Sequence, residues 1–256
     1  MPILGIVASS MKGTPTAPVA GYNLWLDADH AASFTYSSGT SVSQWTDRSA
    51  NAYAFTQATG TLQPNRNGTK NGKSTVYFDN GDRLYGTSAA SVWKFLHDGT
   101  DATVFAAMQS TNSAGSLSTA ISTMNLSSSE IGYALWVYDR TTMYSTWVRG
   151  VGGNEGNATA TITADSWNIV SVKLNQDAAA QADKNKLYIG DGAANNNVGN
   201  YSPSTANPLH TLIIGGTDGA SYAFKGYIAE IITYTSLLSE TDRQTNVDYL
   251  QAKWGV

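Results

Sequence analysis

The sequence predicts an all-β antiparallel sandwich or barrel, and three observations carry that expectation. Apolar and polar residues alternate with a period close to two through most of the 256-residue chain. Asn-Gly and Asp-Gly pairs, which supply the positive-φ backbone of tight turns, punctuate it at Asn67, Asn71, Asn80, Asp98, Asp191 and Asp218. Charged residues make up only 13% of the chain, about half the usual ~25%. Ser, Asn, Gly and 29 Thr take their place, which suits strands that expose Thr and Ser on one face.

The strands follow in order. Asn23–Leu26, Val42–Trp45, Thr75–Phe78, Thr103–Met108 and Gly132–Tyr138 each alternate over a short run. Trp167–Leu174, Lys186–Ile189, Thr211–Ile214 and Tyr227–Tyr234 continue the pattern. Within Trp167–Leu174, Trp167, Ile169, Ser171 and Lys173 face one way, and Val170, Val172 and Leu174 face the other. About a dozen short strands with no alternating helices indicate one sandwich domain. A single helix closes the chain. Ser239 begins a near capping box ending at Asp242, Val247, Leu250 and Trp254 form an apolar stripe, and Gly255 ends it. Lys12 to Pro18 has linker composition, so residues 1–20 read as an N-terminal arm and 21–256 as the domain.

Composition excludes several function classes. With no Cys there are no disulfides, thiolate metal sites or cysteine nucleophiles. A net charge of −4 without a basic run argues against nucleic acid as a partner. No run approaches the ~18 apolar residues of a membrane span, so no membrane partner is expected. The first eight residues are apolar but lack the basic start of a signal peptide.

Phe224-Lys-Gly-Tyr-Ile-Ala-Glu-Ile-Ile-Thr-Tyr234, followed by Leu238-Ser-Glu240, resembles the closing segment of laminin-G-like, concanavalin-A-like jelly rolls. Asn23-Leu-Trp-Leu-Asp-Ala28, Val42-Ser-Gln-Trp-Thr-Asp-Arg-Ser49 and Val76-Tyr-Phe-Asp79 are similar to the opening of such domains in virion and secreted bacterial proteins. Ala50 departs from the Gly often found there. The resemblance covers about 21–256 and implies a jelly-roll sandwich with a short C-terminal helix. Ile3-Leu-Gly-Ile-Val-Ala-Ser-Ser10 looks like the start of structural proteins of tailed bacteriophages.

Residues with chemistry are sparse. A glycosidase needs two carboxylates flanking the bond, about 5–5.5 Å apart for retention or about 6.5–9.5 Å for inversion. The chain has four Glu (130, 155, 230 and 240), without the Glu-x-Asp-x-x-Glu spacing of the related glucanases. Glu230 reads as a structural hydrogen-bonding residue. His30, His97 and His210 show no metal spacing and read as surface or strand-end residues. Calcium is a candidate ligand of Asp27/Asp29, Asp79/Asp82 or Asp98/Asp101, set against ordinary turn chemistry for the same residues. Trp93, Trp136, Tyr138, Tyr144, Trp147, Tyr201 and Tyr222 are candidates for stacking on sugar rings. In the Tyr133–Tyr138 run aromatics fall on both faces, so one is core and the other is a candidate contact patch.

The leading expectation is a non-enzymatic virion structural protein, a capsid decoration or fibre subunit whose exposed sandwich touches host-surface glycans. Ile3, Leu4, Ile6 and Val7 would be the assembly arm, binding other virion proteins. Their burial is worth ~1.5–3 kcal/mol each, less the cost of ordering the arm. By analogy with fibres and decorations the expected oligomer is a homotrimer. A free-standing carbohydrate-binding module is the second expectation, and a glycoside hydrolase or lyase with an atypical carboxylate pair is the third.

Overall fold

A computed structural model describes residues 16–126, 130–140, 143–219 and 222–256. Strand pairing resolves into two antiparallel layers joined at one corner, where Ser41 pairs with Asn65. The first layer runs Asn195–Asn196, Asn185–Ile189, Trp167–Leu174, Ala102–Ser110, Lys225–Tyr234. The far edge of Lys225–Tyr234 is shared. Lys73–Asp79 pairs with its first half and Leu24–Asp27 with its second, and Asn65–Lys70 lies outside Lys73–Asp79. The second layer runs Phe34–Ser38, Ser41–Thr46, Ala54–Thr56, Leu84–Gly86, Ile213–Ile214, Leu117–Ser122, Gly132–Tyr138, Met143–Arg149, Glu155–Ala160.

Alternation decides what lies between the layers. Leu24, Leu26, Val104, Ala106, Met108, Val170, Val172, Leu174 and Ile231 from the first sheet meet Val42, Trp45, Phe55, Tyr133, Leu135 and Val137 from the second. The opposite face of the first sheet carries Phe105, Ala107, Ile169 and Ile232, and the helix Glu240–Trp254 covers them with Val247, Leu250 and Trp254. Each Val, Leu, Ile, Phe and Met among them contributes ~1.5–3 kcal/mol on burial. Ser239 Oγ accepts from the Asp242 N–H at 3.1 Å, and Gly255 ends the helix in the left-handed region at φ 62°. Among the described residues no helix is long and apolar enough to cross a membrane.

The all-β sandwich with one C-terminal helix is therefore the observed fold, and the expected faces of Trp167–Leu174 are the observed ones. Three details differ from expectation. Asn67-Gly68 is not a turn; it lies inside the strand Asn65–Lys70 at an irregularity in register, and the turn is made by Asn71 and Gly72 (φ 51° and 72°). His97 is fully buried, because the chain around Ser204–Ala206 folds over it and Ala206 O meets its Nε2 at 3.0 Å. The chain also joins the domain ahead of Gly21: Val19 N–H donates to Asn246 Oδ1 at 2.8 Å, and Tyr234 Oη donates to Val19 O at 2.7 Å. The arm residues Ile3, Leu4, Ile6 and Val7 lie outside the described residues.

Candidate functional site

The helix covers only part of its sheet. Beyond it, one row of directly opposed residues crosses five strands: Asn65, Tyr77, Tyr227, Gln109 and Trp167. Opposed residues in antiparallel strands share a face, so this row projects to the same side as the helix. Tyr77, Tyr227, Gln109 and Trp167 are all half-buried. The Tyr77 and Tyr227 rings stand 4.9 Å apart, and Tyr227 and Trp167 stand 6.2 Å apart, tilted in both cases. Beside them a bowl of about 360 Å3 is lined by Asn67, Gly68, Thr69, Gln109, Trp167 and Tyr227.

Local sequence explains the shape. Gly68 is required, since a Cβ there would stand on the Tyr227 ring and on Thr75 Oγ1. With no side chain at 68, the Tyr227 ring reaches past Lys73–Asp79 into the space a Cβ at 68 would fill. Gln109 is held by its side-chain N–H donating to Asp165 O. The bowl carries no charged side chain. Burial, and then the nearby Asp79 carboxylate, push the Tyr77 phenol above the ordinary tyrosine range, so it is a neutral hydroxyl at physiological pH. Three aromatic rings with amide and hydroxyl groups at their edge suit a flat polar ligand with apolar C–H faces. The negative ring face attracts the slightly positive C–H bonds, while amides and hydroxyls exchange hydrogen bonds around the rim.

A bulge next to the row controls its edge. Register shifts between Ile228 and Glu230, so Ala229 and Glu230 both turn toward the helix. Glu230 is fully buried. Its carboxylate accepts from Trp25 Nε1 at 2.6 Å, Tyr249 Oη at 2.7 Å and Trp254 Nε1 at 2.8 Å, and pairs with Lys253 Nζ at 2.8 Å. Burial raises its pKa, opposed by Lys253. This carboxylate is a clamp that ties the helix to the sheet, in agreement with its reading as a structural residue.

The remaining sequence candidates are placed as follows. Asp27 pairs with Arg48 at 2.6 Å and Lys253 at 2.8 Å. Asp82 accepts from the Asp79 N–H at 2.8 Å, and Asp98 from the Thr100 N–H at 3.1 Å. These are turn and ion-pair roles, and among the described residues no group of three or more metal-ligating side chains is present. Of the proposed stacking aromatics, Trp93 and Tyr201 are fully buried and Trp136 is 7% exposed. Tyr138 and Tyr222 are exposed, while Tyr144 and Trp147 lie outside the described side chains. Tyr133 and Leu135 enter the core as alternation requires, and Trp136 packs outside with Met124 and Leu126. Sequence reasoning did not single out Tyr77, Tyr227 and Trp167 as a half-open aromatic row, because each sits in a strand whose alternation reads as core. The signal available was the alternation itself: Trp167 and Tyr227 stand on the face opposite their strands' aliphatic residues.

No protein-family model matches the chain, and no curated protein matches it in sequence. Solved structures do match. The botulinum neurotoxin serotype G binding domain has a TM-score of 0.61 at 9% identity, over 91% of this chain and 54% of that one. The serotype D binding domain gives 0.59 at 12% identity, over 89% and 50%. An arabinofuranosidase complexed with arabinofuranosyl-α-1,2-xylobiose gives 0.53 at 14% identity, over 84% and 51%. The chain spans about half the length of each. At these identities the likeness establishes the jelly-roll sandwich and nothing finer.

Proposed function

We propose that this chain is a non-catalytic glycan-binding module that seats a neutral sugar chain on the row Tyr77, Tyr227, Gln109 and Trp167. The observation that carries the proposal is the row itself: three half-open rings in register across the sheet, beside the part that the helix covers, next to a bowl without charged side chains. Half-open aromatic rings gathered on one sheet face suit a contact site.

The fold alone does not separate binder from enzyme, since one of its structural neighbours is named as an arabinofuranosidase. The glutamates favour the binder. Glu230 is enclosed by four donors, Glu155 pairs with Arg149, Glu240 pairs with Arg243, and Glu130 accepts from the Asn125 N–H. Each is engaged by a neighbouring donor or cation. A glycan array with the full chain and with Trp167→Ala tests the reading. Binding to neutral oligosaccharides that falls about tenfold in the variant supports it, and hydrolysis of a bound glycan, lost on mutating one carboxylate, would replace it with the enzyme reading.

Incorporation into a virion through Ile3, Leu4, Ile6 and Val7 remains a separate proposal that rests on the arm's sequence. Its test is light scattering of the full chain against one lacking residues 2–15, which keeps the Val19 contacts. A discrete oligomer that becomes a folded monomer supports the arm as an assembly element.

A further inference from the structure

A second cavity, of about 440 Å3, opens beside the end of the helix. That volume lies in the range of small-ligand sites. Its wall includes Thr16, Trp25, Arg48, Lys73, Tyr249 and Lys253, and every charged side chain on it is a cation. The balancing carboxylates stand elsewhere. Asp27 and Glu230 lie behind the wall with side chains 4% and 0% exposed, and Asp29 lies to one side against Lys73 at 3.4 Å.

Arg48 is fixed from two directions. Its Nη1 donates to Asp27 Oδ2 at 2.6 Å, and its guanidinium carbon stands 3.8 Å from the Trp25 ring centroid. Its other N–H groups make no hydrogen bond to a described residue, and its side chain is 30% exposed. A guanidinium already oriented by a carboxylate and an indole loses little freedom when it receives an oxyanion in its free fork. Lys73, equally open, adds a second cation from the facing hairpin, and Lys253 adds a third, held by Asp27 and Glu230. Trp25 is already covered by Arg48, so the cavity presents charge and a planar fork where the aromatic row presents stacking and neutral amides.

We propose that this cavity is an anion site that takes the carboxylate or sulfate group of an acidic sugar, separate from the neutral-glycan row. The test is calorimetric titration of the full chain with glucuronate, glucose 6-sulfate and glucose. At least one of the two acids is expected to bind with affinity that falls as salt rises, a dependence that any glucose response, from the neutral row, lacks. A response to glucuronate alone assigns a carboxylate site, and a response to the sulfate alone assigns a sulfate site. Arg48→Lys, which keeps charge but loses the fork, and Lys73→Ala are each expected to weaken binding at least fivefold, while Tyr138→Ala, on the other sheet, leaves it unchanged. Lys73→Ala removes an exposed side chain and decides the matter should Arg48→Lys disturb folding. The proposal is overturned if neither acid binds, if acid binding does not weaken as salt rises, or if Lys73→Ala binds acid like the parent.

Discussion

Trp167 and Tyr227 stand on strands that do not pair with each other, yet their rings approach to 6.2 Å over the strand between them, which contributes Gln109. The aromatic surface is thus a product of register across three strands, not of any one of them. Removing one ring should cost what a single stacking partner supplies, about 1–2 kcal/mol, or roughly tenfold in affinity. Trp167→Ala is expected to show that loss by calorimetry with a neutral oligosaccharide. Tyr138→Ala, an exposed aromatic of the other sheet, is expected to bind as the parent does.

Gly68→Ala tests the geometry without removing a ring. The new methyl group would occupy the space of the Tyr227 ring and of Thr75 Oγ1, so the ring must lift from the strand. Overpacking of this kind costs about 1–3 kcal/mol of stability. Binding is expected to weaken together with a lower Tm, and unchanged binding would show that the position of Tyr227 is immaterial.

Glu230→Gln is expected to destabilise the fold by about 3–5 kcal/mol in denaturant unfolding. All four partners of this carboxylate are donors, so the amide N–H2 of Gln must face a donor, and Lys253 keeps only Asp27 as its counter-charge. A change within 0.5 kcal/mol would refute the clamp.

His97 supplies a pH dependence. Burial lowers its pKa from 6.5, and its Nε2–H donates to Ala206 O while Nδ1 is buried with no acceptor. The folded state therefore binds a proton less readily than the unfolded chain. Stability from this group is complete above the unfolded value near 6.5 and declines as pH falls below it, by at most ~1.4 kcal/mol per pH unit. Tm measured from pH 7.5 to 5 should drop less steeply in His97→Gln than in the parent.

Much of the fold was legible because alternation and capping are local. Gly132–Tyr138 and Trp167–Leu174 begin and end where their patterns do, and Ser239 and Gly255 bound the helix as their chemistry requires. The strand Asn65–Lys70 was not legible: Asn-Arg-Asn-Gly-Thr-Lys has turn composition, and only pairing with Lys73–Asp79 and the close approach of Tyr227 make it extended. The candidate site was illegible for a related reason. Alternation places Trp167 and Ile169 on one face, but nothing along the chain says that Ile169 is fully covered while Trp167 stays half-open. His97 was misread because the loop that buries it arrives from more than a hundred residues away.

The most direct measurement is an NMR titration that follows the indole N–H signals of the seven tryptophans as a neutral oligosaccharide is added. Trp167 would be identified by comparison with Trp167→Phe. The Trp167 signal is expected to move in proportion to occupancy, while those of Trp45, Trp93 and Trp254, fully buried, stay in place. A glycan that binds while the Trp167 signal remains fixed would contradict this expectation.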